Sequence, residues 1–204
     1  MSGANIAIIP ARGNSQRIPK KAIRFFHGKP IIQYAIDAAK EAGMFDEIVV
    51  STDCMDIAEV AFMCGAGVLM RDADMSVDEV GTQAVAKHVV ERIQKNHGIK
   101  VDTVCVIYPC SPMLTAFHIQ KGYFELDNEE VDYSFSVGTV PKLHDAGNFY
   151  WCKSDALLAQ SPLFAERSVM IPIEPERTCD INTVEDFHKA EKMYLELKGG
   201  KNAA

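Results

Sequence analysis

The residues best suited to chemistry come early, in Ile6-Ala7-Ile8-Ile9-Pro10-Ala11-Arg12-Gly13-Asn14-Ser15-Gln16-Arg17-Ile18-Pro19-Lys20-Lys21. A short continuous apolar run is the pattern of a parallel strand covered on both faces. It gives way at once to Gly13, Asn14 and Ser15, set among Arg12, Arg17, Lys20 and Lys21. Small residues let backbone N–H groups come close to a ligand, and cationic side chains around them suit a chain of phosphates. Open α/β sheets bind ligands just past the carboxyl ends of their strands, where this loop would lie. The pattern predicts a triphosphate-binding loop, although it matches neither the Walker A nor the Gly-x-Gly-x-x-Gly fingerprint. On these residues alone, a solvated basic surface is an equal reading.

Three later stretches carry further candidates. Arg71 closes an apolar run and precedes Ser76, Asp78 and Thr82 in a polar connection. An exposed strand end with an ordinary helix cap is the commoner origin of such residues. His144-Asp145-Ala146-Gly147-Asn148-Phe149-Tyr150-Trp151 gathers polar groups, a glycine and aromatic rings. Aromatic faces beside hydrogen-bonding groups suit a sugar or a nucleotide, and the same residues equally suit a core strand with a bulge. Asp180-Ile181-Asn182 sets two oxygen-bearing side chains at i and i+2 ahead of a helix. On extended backbone they share a face and could both approach one hard cation such as Mg2+, though a plain helix-entry loop is the more common case.

The elements that must position these groups follow from periodicity. Gly28-Lys29-Pro30 leads into a helix with Ile32, Ala35, Ile36 and Ala39 on one face, Pro30 in its first turn and Gly43 at its stop. Strands are predicted over 47–51, 67–70, 103–108 and 133–140, and helices over 56–64 and 116–126. Thr82 is expected to cap a helix whose Val85, Val89 and Ile93 share a face. Pro109-Cys110-Ser111-Pro112 must end its strand, because proline cannot pair in a central one. The last helix starts near Thr183, with Asp186 completing an approximate capping box, and its stripe is Phe187, Ala190, Tyr194 and Leu197. Strands alternating with helices imply an α/β fold with βαβ units, right-handed crossovers and a mostly parallel sheet. Residues 1–198 are expected to form a single domain, and 199–204 a frayed tail.

With 204 residues the chain can bury a sizeable core as one domain. It carries 28 acidic against 21 basic groups, a net charge of −7, which argues against nucleic acid or an anionic membrane as partner. Against that background the basic run 12–24 reads as a local anion pocket. The 6 cysteines include no Cys-x-x-Cys pair, and Cys105 lies inside an apolar run. They are expected to be reduced residues of a cytoplasmic protein rather than disulfides or zinc ligands. Neither a signal peptide nor a membrane span is expected.

Taken in order, Pro10-Ala11-Arg12-Gly13, Ile18-Pro19-Lys20-Lys21, Gly28-Lys29-Pro30, Ser51-Thr52-Asp53, Gly65-Ala66, Arg71, Thr82 and Asp180-Ile181 resemble one family. It is that of the CMP-sugar synthetases, the cytidylyltransferases that activate sialic-acid-like nonulosonic acids. The stretch from His144 to Trp151 looks most like the pseudaminic acid cytidylyltransferases, and the resemblance runs from Ile6 to Leu195. It implies a Rossmann-like three-layer α/β/α nucleotidyltransferase domain and the reaction of CTP with a nonulosonic acid to give the CMP-sugar and pyrophosphate. By this resemblance Arg12 and the backbone of Gly13, Asn14 and Ser15 hold the triphosphate, with Ala11 and Arg17 beside them. Lys21 stabilises the α-phosphate and the departing pyrophosphate, so that Arg12 and Lys21 carry the catalysis. Arg71 and Thr82 lie beside the nucleoside, and Tyr108 borders the site. His144, Asp145, Gly147, Asn148 and Phe149 face the sugar, while Asp180 and Asn182 bind Mg2+. A homodimer is the family's usual assembly.

Departures from the family pattern are equally specific. Gln16 stands where the family usually has Lys, Ala22 where it has Asn, and Asn182 where it has the second Asp of Asp-x-Asp. An amide ligates Mg2+ as a neutral oxygen and does not match a carboxylate against a doubly charged ion. Only Thr139-Val140-Pro141-Lys142-Leu143 precedes the His-Asp-Ala-Gly strand, where the family inserts a segment used for dimer contacts and the sugar pocket. The arm near 138–147 is therefore expected to be short. Loss of a phosphate-facing Lys and of a metal carboxylate would each cost about 2–4 kcal/mol of transition-state stabilisation. Arg17 and Lys20 could stand in for the first, and Asp53 or Asp145 for the second. The leading expectation is a Mg2+-dependent cytidylyltransferase for a nonulosonic acid. The alternatives are a weak or inactive relative that binds nucleotide or a protein partner, and a nucleotidyltransferase for another sugar or nucleotide.

Overall fold

The structure, a computed structural model, describes residues 3–15, 17–77 and 80–199. Gln16, Asp78 and the tail from 200 onward lie outside the described residues, and Gly199 is the last residue of a helix. The elements run β1 (Ala4–Ala11), β2 (Phe25–Phe26), β3 (Lys29–Pro30), α1 (Ile31–Ala42), β4 (Glu47–Thr52), α2 (Met55–Met63), β5 (Gly67–Met70) and α3 (Thr82–His97). They continue with β6 (Val101–Ile107), α4 (Ala116–Glu125), β7 (Tyr133–Gly138), β8 (His144–Lys153), α5 (Ser154–Leu158), β9 (Ser168–Ile173) and α6 (Val184–Gly199).

The main sheet has the order β5-β4-β1-β6-β8-β7-β9, and β8 alone runs against the others. This is the mostly parallel α/β sheet that the alternation predicted. Helices α1, α2 and α4 cover one face through Ile36, Ile57 and Ile119 on Ala7 and Ile9. The other face takes α3 and α5 through Val89, Val90 and Leu157 on Ile6 and Ile8. Each apolar strand residue thus finds a helix, whichever side it points to. A third cluster seats α6 through Phe187 and Ala190 on Ile18, Phe26 and Tyr34. The chain leaves β1 toward β4 and β5 on one side and later returns to β6 on the other. A crevice must open at such a reversal, beyond the carboxyl ends of the strands.

Local signals act largely where expected. Gly43 ends α1 at φ +66°, the left-handed conformation that favours glycine. Asp186 accepts Thr183 N–H at 2.8 Å while its own N–H donates to Thr183 Oγ1 at 3.2 Å, completing the capping box of α6. Thr82 is a correction: it is the first residue of α3 behind Gly81 and makes no cap bond. Its hydroxyl turns to two tyrosines instead, as described below. Helix α5 and the β2–β3 ribbon are too short to be predicted, and Pro172 masks β9, which lies at the sheet edge, where a proline is tolerated. All 6 cysteines are free. Among the described residues no helix is long and apolar enough to cross a membrane.

Candidate active site

A cleft of about 610 Å³ occupies the crevice. Arg12, Asn14, Ser15, Arg17 and Lys21 line one wall, Arg71, Val80, Thr82 and Val85 a second, and Tyr108, Cys110, Gly147, Asp180 and Asn182 a third. The sequence candidates of four separate stretches are therefore brought to one place. Ala22, standing where the family has Asn, lines the cleft too but is buried and belongs to the core.

The phosphate loop is held from below. Ile18 is buried among Phe26, Ile31 and Phe187, and Lys21 N–H donates to Ile18 O at 3.1 Å, which starts a short turn over Lys21–Ile23. That turn sends Lys21 into the cleft, where its ammonium donates to Ile181 O at 2.5 Å. A carbonyl orients the ammonium without cancelling its charge, which stays available to an anion. Two of the expected backbone donors are already engaged: Gly13 N–H donates to Asp53 Oδ1 at 2.7 Å and Ser15 N–H to Gly13 O at 3.1 Å. Two of the three N–H groups of the expected backbone cradle are thus spent within the protein, and what this wall presents to the cleft is chiefly side chains. Ala11 is buried at the end of β1, paired with Thr52, and does not line the cleft. Lys20 is turned away into an exposed ion pair with Asp56, so it does not replace the charge missing at 16.

Arg71 is fixed by bonds from Nε to Ser51 Oγ at 3.0 Å and from Nη2 to Ser51 O at 2.8 Å. Burial lowers its pKa, with the nearby Asp53 opposing that shift and Arg12 adding to it. Thr82 Oγ1 lies 3.5 Å from the hydroxyls of both Tyr108 and Tyr150. Burial raises the Tyr108 phenol, the Thr82 bond lowers it, and the carboxylates of Asp145 and Asp180 raise it again. These two acids therefore act on one phenol although they come from different elements. Burial also pushes the Cys110 thiol up to about 12, which removes it as a nucleophile at neutral pH.

The stretch from His144 to Trp151 divides between its two readings. Gly147 takes φ +60°, its N–H donates to Asp145 Oδ1 at 2.8 Å, and the register against β7 shifts here in a bulge. Ser136 Oγ accepts the N–H groups of Asn148 and Phe149 at 3.2 and 3.1 Å, which satisfies the bulged backbone. Gly147 reaches the cleft. Asn148 is buried with its Oδ1 unpartnered. Phe149 corrects the expectation that it faces a sugar: it is buried in the core beneath α4, over Gly122. His144 is exposed, bonded through Nδ1 to Lys142 O at 2.8 Å and lying over Gly138, and it is not among the residues lining the cleft.

Asn182 donates its amide N–H to Asp180 Oδ2, and its backbone N–H to Asp186 Oδ2 at 3.0 Å. Among the described residues there is no group of three or more His, Cys, Asp or Glu side chains able to hold a metal by themselves. Asp53 gives Oδ1 to the Gly13 N–H and is not among the residues lining the cleft, which speaks against it as the missing metal carboxylate. Sequence reasoning missed this anchoring role, for which the only signal was an acid at a strand end. It also missed a buried clamp: His118 bonds Thr115 Oγ1 and Glu174 Oε2, both at 2.8 Å, and Arg177 donates to Met113 O at 3.0 Å. This clamp holds the start of the segment that carries Asp180.

Comparison with known proteins adds the family. The model of the cytidylyltransferase family matches residues 6–194. Pseudaminic acid cytidylyltransferase of Campylobacter jejuni is 33% identical over 224 aligned positions, covering 93% of this chain and 96% of that protein. CMP-N,N'-diacetyllegionaminic acid synthase of Legionella pneumophila is 40% identical over 110 positions, covering 52% of this chain and 46% of that one. Among solved structures, CMP:2-keto-3-deoxy-manno-octonic acid synthetase complexed with CTP superimposes with a TM-score of 0.74 at 16% identity, over 95% of this chain and 99% of that one. The Rv0371C complex with manganese from Mycobacterium tuberculosis does so with 0.63 at 11% identity, over 93% and 98%. At these identities the structural likenesses speak for the fold alone.

Proposed function

We propose that this chain, which belongs to the cytidylyltransferase family, transfers CMP from CTP to a nonulosonic acid, as its pseudaminic acid relatives are named for doing. The observation that carries the reading is the convergence of Arg12, Lys21, Arg71 and Asp180 on one cleft of nucleotide size. In the reaction the sugar's anomeric hydroxyl oxygen attacks the α-phosphorus, the bond from that phosphorus to the bridging oxygen breaks, and pyrophosphate leaves with the electron pair. The hydroxyl proton passes to solvent. Such chemistry needs alignment and charge neutralisation rather than a covalent intermediate.

Arg12 and Arg17 attract the triphosphate, and Lys21, held by Ile181 O, faces the charge that develops on the leaving group. Arg71 offers the nucleoside its Nη1, which neither bond to Ser51 engages. Tyr108 and Gly147 border the acceptor side, and Asp145 acts electrostatically on the Tyr108 phenol. The donor set fits Mg2+ brought in on the nucleotide, because that ion usually takes one or two protein oxygens and completes its shell with phosphates and water. Asp180 would hold it, with Asn182 as a neutral neighbour, and the ion would supply further neutralisation of the phosphates. We also read the chain as cytoplasmic, as one domain over 1–198 with a short arm near 138–147, and as a candidate homodimer.

The test is pyrophosphate release with CTP, Mg2+ and either pseudaminic or N-acetylneuraminic acid. Release with one sugar, abolished by EDTA, is the expected result. Absence of release from protein whose Tm still rises with CTP would replace this reading by its rival, a nucleotide-binding relative with little activity. The neutral Asn182 beside Asp180 is the observation that favours the rival.

A further inference from the structure

A carboxylate at the rim of a polyanion site calls for a reason, because it repels the charge that the neighbouring cations attract. Asp53 stands beside such a site, one residue past β4, bonded to Gly13 and acting on Arg71. Its Oδ1 accepts Gly13 N–H at 2.7 Å, and a Cβ added to Gly13 would come within 2.6 Å of Cys54 Cβ, so the phosphate loop rests directly on this strand end. The same strand end holds the nucleoside wall. Arg71 N–H donates to Thr52 O at 2.8 Å, and the Arg71 guanidinium binds Ser51 at 3.0 and 2.8 Å. Three successive residues, Ser51, Thr52 and Asp53, thus tie together two walls that a nucleotide must bridge. Asp53 also favours the charge of Arg71, which Arg12 opposes, so it offsets the repulsion between these two cleft cations.

We propose that Asp53 is a positioning residue that keeps the phosphate loop in register with the nucleoside wall, without touching the reacting atoms. The identity of the nucleotide rests on the cytidylyltransferase reading above, whereas the anchoring of Gly13 does not. A ligand that spans both walls needs them at a fixed separation, and one that fills a single wall does not. A misplacement of about 1 Å costs roughly 100-fold at a reacting centre.

The experiment compares Asp53→Ala and Asp53→Asn with the wild type, using CTP, cytidine and inorganic tripolyphosphate as calorimetric probes and amide hydrogen exchange at Gly13. Asp53→Ala should weaken CTP about 10- to 100-fold, leave cytidine and tripolyphosphate within about 3-fold, and release the Gly13 amide to exchange. Asp53→Asn keeps an oxygen able to accept Gly13 N–H, so it should recover most of the CTP affinity and keep the amide protected. Equal losses for all three probes would overturn the proposal, and so would tighter CTP binding by Asp53→Ala, which would make Asp53 a repulsive placeholder. Should Asp53→Ala fail to fold, rapid Gly13 exchange in folded Asp53→Asn overturns it as well. Wild-type protein that binds no CTP would sink the cytidylyltransferase reading, and Gly13 exchange would still decide the role of Asp53.

Discussion

The basic wall of the cleft comes from one stretch of chain, Pro10 to Ala22, whereas the wall proposed to receive the acceptor is assembled from Tyr108–Cys110, Gly147 and Asp180–Asn182, far apart in sequence. The first presents cations. The second presents a half-buried phenol, a half-buried thiol, an amide and the carboxylate of Asp180, while Asp145 acts on the same phenol. A wall built from contiguous residues needs few anchors, and Ile18 and Asp53 provide two. A wall built from separated segments needs each one fixed independently, hence the β8 bulge on Ser136, the His118–Glu174 clamp and the Thr183–Asp186 box. Under the proposed function, charge on the first wall would drive binding, while geometry on the second would set what is accepted.

The comparison breaks most visibly at Lys21. Replacing it by Ala should lower kcat/KM for CTP about 10²- to 10³-fold, by analogy with the loss of a single electrostatic donor, with little change in Tm. A loss below about fivefold in pyrophosphate release would mean that the other cations carry that wall. On the second wall the expected lesion is of stability. A Cβ on Gly122 would lie 2.7 Å from Phe149 and 2.9 Å from Trp151, so Gly122→Ala should destabilise by about 1–3 kcal/mol in denaturant titration. Activity per folded molecule should be unchanged, because Phe149 supports β8 from the core side.

Asn182→Asp sharpens the contrast by adding a charge to the second wall. Without metal it places a carboxylate beside Asp180 where an amide now donates, so Tm should fall by a few degrees, about 1 kcal/mol. With Mg2+ and CTP the variant should gain both Tm and turnover, and no gain would show that the amide suffices. The smallest effect concerns pH. Burial holds the His118 imidazole below its ordinary value, although Glu174 raises it. The unfolded chain takes up a proton near pH 6.5, roughly the ordinary histidine value, that folded His118 refuses. Its contribution to stability is therefore full above that pH and lost as pH falls toward the folded value. Tm should decline from about pH 7.5 to 5.5, and less so in His118→Gln; a rise over that interval would contradict the buried neutral ring.

Much of this was legible in the residues. The apolar run before Arg12, the Gly43 stop and the Thr183–Asp186 box are local patterns whose physics acts within a few residues, and they appear in the structure as read. Thr82 was misread because a hydroxyl at a helix start caps it in most settings, and here two tyrosines from β8 and the end of β6 claim it. Phe149 was assigned to the sugar by resemblance alone, whereas the residues themselves equally allowed a core strand with a bulge, and the bulged β8 buries this ring beneath α4. Lys20 was expected to supply charge, yet its left-handed φ of +50° and its Asp56 partner turn it outward.

The sequence by itself determined the α/β class, most of the strands and helices in their order, the Gly43 stop and the Thr183–Asp186 box, and the concentration of positive charge after the first strand. These depend on periodicity, turn chemistry and composition, all of which operate over short stretches. Only the tertiary structure decided that Gly13 gives its N–H to a residue 40 positions away and that Lys21 meets a carbonyl 160 positions away. It also decided that Asp145 and Asp180 flank one tyrosine. Those meetings follow from sheet order and register, which long-range packing selects and no local pattern encodes.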